Sequence, residues 1–110
     1  MSRYSRGAAF EYQVKHDLES KGFVCVRAAG SHTPVDVYAF GNGRIVFVQC
    51  KTDGRLDPGE WNELIDYCEL AGATPILADK PRRGVIRYRQ LTGKKDKQRN
   101  VNPPIEDWEV

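Results

Sequence analysis

A chain of 110 residues is long enough for one domain with one core and too short for two. With 40% hydrophobic and 29% charged residues it has the composition of a soluble globular protein; no stretch approaches the roughly 20 apolar residues of a membrane span, and the start, MSRYSRGAAFEYQ, lacks the apolar run of a signal peptide, so a cytoplasmic location without a membrane partner is expected. The net charge of +2 is modest, but residues 80–99 hold nine Lys or Arg against the single acid Asp96, the footprint of a surface that meets phosphate or of a solvated, solubilising segment.

From Arg6 to about Ser20, Phe10, Val14 and Leu18 recur every four residues, joined by Ala9 and Tyr12, which predicts an amphipathic helix with Ser5 as N-cap and Gly22 as stop. Glu11 lies at the border of the buried stripe. Taken alone it reads as a surface acid, although it could reach a site beside the core. FVCVRA, residues 23–28, predicts a first strand, and AAGSHTP a loop.

PVDVYAF, residues 34–40, predicts the second strand, with Val35, Val37 and Ala39 on one face and Asp36, Tyr38 and Phe40 on the other. Asp36 is out of place there, because a carboxylate in an apolar strand is costly unless something compensates it, and a metal ion is one such partner. Gly41, Asn42 and Gly43 close a hairpin. Ile45 to Val48 are apolar on both faces, as in a covered strand, and polarity returns at its end with Gln49 and Lys51, which share a face.

Asp57 as N-cap, Pro58 and Glu60 open a second helix with Trp61, Leu64, Ile65 and Cys68 as its core stripe, while Glu60, Glu63, Asp66 and Glu69 mostly face water. Trp61 reads as a core anchor rather than a base-stacking residue. TPILA, residues 74–78, and GVIRYRQL, residues 84–91, predict two more strands, the latter with Arg87 and Arg89 on one face. After Gly93 the pattern is lost in a basic segment, and PPIEDWEV either docks on the core or a second subunit or stays untethered. Cys25, Cys50 and Cys68 have no metal-binding spacing and read as reduced core thiols.

The order helix, three strands, helix, two strands places the polar candidates on the first helix and on strands two and three. Hydrolysis of a phosphodiester with Mg²⁺ needs oxygen ligands for a hard ion and a positive group beside the attacking water. Asp36, Glu11 and the amide oxygen of Gln49 offer the first, and Lys51 the second. No Ser/His/Asp arrangement competes, there is no glycine loop for a nucleotide cofactor, and His16 and His32 are isolated; His32 is a solvated loop residue or a DNA contact.

These stretches resemble the archaeal-type Holliday junction resolvases of the PD-(D/E)xK nuclease superfamily. YSRGAAFEYQVKHDLESKGF, VRAAGSHTPVDVYAF and IVFVQCK carry the resemblance, which spans residues 4–91. It implies an α/β, restriction-endonuclease-like fold, αβββαββ, with a mixed five-stranded central sheet flanked by helices, as a nuclease core over residues 1–92 followed by a tail over 93–110. It implies a crossover junction endonuclease that hydrolyses phosphodiesters in four-way junctions with Mg²⁺, or Mn²⁺ in its place, as a homodimer associated with the nucleoid. Glu11, Asp36 and Gln49 would surround the metal, Lys51 would be the catalytic lysine, and Ser31 would assist from its loop. Arg6 would contact DNA, and Arg27, Ser31 and His32 are grouped with it, whereas a DNA role for Arg82, Arg83, Arg87, Arg89, Lys94 and Lys95 rests on charge alone. The pattern has Glu where this chain has Gln49, so weaker metal affinity is expected; the alternatives are another nuclease of the superfamily, acting in repair, replication or restriction, or a DNA-binding module that has lost catalysis.

Overall fold

The computed structural model describes residues 3–30, 32–96 and 102–110, with side chains from residue 7 on. Helix α1 (Arg3–Ser20) leads through β1 (Val24–Arg27), β2 (Val37–Gly41) and β3 (Arg44–Cys50) to α2 (Pro58–Ala71), then β4 (Thr74–Arg82), β5 (Val85–Leu91) and β6 (Ile105–Asp107). The strands form one sheet in chain order, antiparallel except for β3 against β4, where α2 makes the crossover that a parallel pair requires.

The two faces of the sheet build two cores. Phe10, Val14 and Leu18 of α1 pack with Val37, Ala39, Val46, Val48, Ile76 and Ala78 on one side. Trp61, Leu64, Ile65 and Cys68 of α2 pack with Val35, Phe47, Leu77 and Leu91 on the other. Val46 and Val48 thus face α1 while Phe47 faces α2, the alternation of a strand covered on both sides. Helix α2 covers β3 and β4. Across the hairpin on the same face, Val24, Val26, Phe40 and Ile45 remain exposed.

Local signals decide most boundaries. Asp57 caps α2 by accepting from the Glu60 N–H at 2.8 Å, Pro58 follows it, and Gly72 closes the helix in the left-handed region at φ 68°. The cysteines are free, Cys25 and Cys68 in the core. Ser5 is not an N-cap, because α1 already includes Arg3.

Two expectations are corrected by strand pairing. The sheet has six strands, not five: Ile105 to Asp107 pair with Leu91 to Arg89, and Trp108 packs edge-on against Tyr88. The end of the chain is therefore tied to the core. Nor do Val35 and Val37 share a face, since Val35 lies in the α2 core and Val37 in the α1 core. The Asp36 N–H donates to the Val48 carbonyl while Val37 is the register partner of Val48, so two residues of this strand oppose one. Such a bulge breaks alternation and re-aims a side chain. Here that side chain is Asp36.

Candidate active site

The bulge delivers Asp36 to the place where the ends of β3 and α1 meet. Its Oδ2 accepts the Cys50 N–H at 2.8 Å, which fixes the carboxylate against β3. A cleft of about 500 Å³ opens there, lined by Gly7, Phe10, Glu11, Asp36, Gln49 and Lys51 among others. Burial, the largest influence, pushes the Asp36 carboxyl up from 3.8 to about 6; the Cys50 N–H and Lys51 pull it down, and the charges of Glu11 and Glu60 add to the rise. Asp36 therefore stands within the field of one acid on α1 and another on α2. Burial also raises the neighbouring Cys50 thiol well above its ordinary value, which keeps it protonated and inert.

Gln49 and Lys51 project together, as their spacing requires, and both reach the same group. Glu60 Oε2 accepts from Gln49 Nε2 at 3.3 Å and pairs with Lys51 Nζ at 3.1 Å. Gln49 is buried, 6% exposed, and its Oε1 has no hydrogen-bond partner among the described residues. A buried amide oxygen left unpaired is unusual in a folded protein and marks a place where a cation or water completes the structure. With Asp36 it supplies the oxygen donors that a hard divalent ion prefers.

Glu11 lines the same cleft and also carries an ion pair. Its Oε1 accepts from Arg27 Nη1 at 2.8 Å, and the Arg27 guanidinium lies 4.4 Å from the centre of the Tyr12 ring. Among the described residues no three Asp, Glu, His or Cys side chains converge to hold a metal by themselves. Gln49 brings an amide rather than a carboxylate to the cleft, so the oxygen donors there are mixed.

The other predicted positions separate into groups. His32, Arg82 and Arg83 are exposed, the two arginines at the β4–β5 turn. Arg87 and Arg89 do share a face, but both are bound to the buried Asp79, Arg87 through Nε at 3.0 Å and Nη2 at 2.6 Å, Arg89 through Nη2 at 3.2 Å. Lys94 pairs with Asp66 at 2.9 Å, and Lys95 donates to the Leu56 carbonyl at 3.2 Å. Ser31 and the side chain of Arg6 lie outside the described residues.

Two residues were missed. Glu60 was read as a solvent-facing helix-start acid, and Asp79 was passed over because β4 was expected to stop at Ala78. The signal for Asp79 was akin to the one used for Asp36, a carboxylate out of character with the apolar strand residues beside it. For Glu60 it was a helix beginning shortly after Lys51, which returns its first turn to the end of β3.

The family model for archaeal Holliday junction resolvases (Hjc) matches residues 2–107. The chain belongs to this family. Among its relatives, the crossover junction endodeoxyribonuclease Hjc of Methanocaldococcus jannaschii is 34% identical over 82 residues, which cover 71% of this chain and 61% of that protein. The match thus spans less than two thirds of the relative's length. Among solved structures, the Hjc of Archaeoglobus fulgidus, a Holliday junction resolvase from an archaeal hyperthermophile, is similar at a TM-score of 0.66 and 26% identity, covering 74% of each chain. The mixed α/β architecture is that of the family.

Proposed function

We propose that the protein is an intracellular endonuclease that resolves four-way DNA junctions with Mg²⁺, or Mn²⁺ in its place. The observation that carries this reading is the meeting of Asp36, Gln49 and Lys51 at one cleft in a chain of the resolvase family. Asp36, the unpaired Oε1 of Gln49 and Glu11, which lines the same cleft, are the groups that would hold the ion. When bound, the ion would supply Lewis-acid polarisation of the scissile phosphate and a more acidic water. The Lys51 ammonium, held by Glu60, would orient the attacking water and offset negative charge developing on phosphate. Two symmetric cuts in a four-way junction call for two identical sites, so the working unit is taken to be a two-fold dimer.

The test is cleavage of a synthetic four-way junction and of linear duplex with the same sequence, each with and without Mg²⁺. Metal-dependent cutting confined to the junction, and lost in Asp36→Asn, is expected. Equal cutting of both substrates would assign the site to another nuclease function, and cutting by Asp36→Asn would remove it from Asp36 altogether.

A further inference from the structure

Where the family pattern has an acid, β3 brings the amide of Gln49, and the carboxylate that meets this amide comes from a different element. Glu60 is the third residue of α2, and its N–H is fixed by Asp57 Oδ1 at 2.8 Å. A glutamate in that position commonly folds back onto the N-cap N–H. Here its carboxylate instead takes both Gln49 Nε2 and Lys51 Nζ.

That contact dictates which way the Gln49 amide faces. A carboxylate only accepts hydrogen bonds, so the NH₂ end must point at Glu60 and the carbonyl end must point away. The end that points away is the buried, unpaired Oε1 of a side chain lining the cleft. The Glu60 charge is also felt at Asp36, which places it inside the same electrostatic cluster. Gln49 and Glu60 are thus complementary, since a glutamate at position 49 would set two carboxylates against each other.

We propose that Glu60 is a positioning residue of the metal site, supplying from α2 the negative charge that the strand lacks and holding the Gln49 oxygen toward the ion. Glu60 acts through Gln49 and Lys51. This inference rests on the metal-dependent reading given above. It predicts that the acid of the site can be exchanged between positions 49 and 60, because what the site needs is one carboxylate and one amide facing each other.

The experiment is calorimetric titration of the whole chain with Mn²⁺ alone, on the wild type, Asp36→Asn, Glu60→Gln, and Gln49→Glu combined with Glu60→Gln, with urea unfolding of each as a check on folding. Glu60→Gln should lose about tenfold in Mn²⁺ affinity with its unfolding midpoint little changed, since the side chain is 39% exposed and its ion pair is of the weak, solvent-reached kind. The exchanged double variant should regain wild-type affinity. A purely structural role for Glu60 predicts no loss in the single variant, or a loss that the exchange fails to recover, and either result overturns the inference. If Asp36→Asn abolishes binding while Glu60→Gln binds normally, the metal site stands and Glu60 is no part of it. If Asp36→Asn binds Mn²⁺ like the wild type, the metal-site reading falls and the inference with it.

Discussion

Two aspartates are drawn into one sheet, Asp79 fully buried and Asp36 half-buried, and their surroundings are opposite. Asp79, inside β4, is 2% exposed and held by the guanidinium groups of Arg87 and Arg89. Asp36, at the entrance of β2, has its pKa raised to about 6 chiefly by burial, with Glu11 and Glu60 adding to the rise and only one backbone N–H and Lys51 opposing it. One burial is compensated within the fold and the other is left short of positive charge. A carboxylate held at a cleft without a full counter-charge is what a cation site looks like before the cation binds.

The largest effect should come from breaking the compensated site. Asp79 closes the loop behind Lys51: Gly54 packs so tightly there that a Cβ at this position would lie 2.5 Å from Asp79 Oδ2. Removing one member of a buried charged cluster strands the others, and Arg89 has little access to water, with Nε already buried and unpaired. Asp79→Ala should therefore lower unfolding free energy by about 3 kcal/mol, below the upper end for a buried pair because Arg87 can turn to solvent. Urea unfolding measures it. A loss under about 1 kcal/mol would mean that Asp79 is no better compensated than Asp36.

The same measurement on Asp36 should give the opposite sign. Its folded pKa is raised, so the folded protein holds this proton more tightly than the unfolded chain. Stability without metal then falls as pH rises from about 4 through about 6 and stays low above that. Asparagine has no such proton to lose and can still accept the Cys50 N–H. In EDTA at pH 8, Asp36→Asn should be more stable than the wild type by about 2 kcal/mol, and the advantage should fade below pH 4. A destabilised Asp36→Asn at pH 8 would erase the contrast between the two aspartates.

How much of this was readable beforehand follows from the range of each interaction. The cap of α2 is a matter of three residues within four positions, Asp57, Pro58 and Glu60, and the sequence alone placed it correctly. Asp36 was conspicuous because burial of a carboxylate contradicts its strand. The bulge that aims it was not, because a bulge exists only in the pairing of β2 with Val48. Strand β6 was hidden for a similar reason, as three residues gain strand character only from Leu91 to Arg89 beside them. Glu60 satisfied a local rule as a helix-start acid, and that sufficient explanation concealed its contacts with Gln49 and Lys51. Arg87 and Arg89 were correctly placed on one face. What they meet there is Asp79, a partner that only tertiary structure brings into reach.

The smallest expected effect on the fold separates arginines that composition treats alike. Arg82 and Arg83 are exposed at the β4–β5 turn, whereas Arg87 and Arg89 are tied to Asp79. Replacing Arg82 and Arg83 together by alanine removes no buried partner, so unfolding free energy should change by no more than about 0.5 kcal/mol. If both meet phosphate, junction binding should weaken and the slope of log affinity against log salt should shrink by about 2, one released counterion for each contact. Replacing Arg89 by alanine should do the reverse, costing stability while leaving that slope nearly unchanged, since its charge is already spent on Asp79. An unchanged slope in the Arg82/Arg83 double variant would move the DNA surface away from this turn. A slope that shrinks in Arg89→Ala would mean that the Asp79 cluster opens on DNA, and the division between compensated and uncompensated charge would then hold only for the free protein.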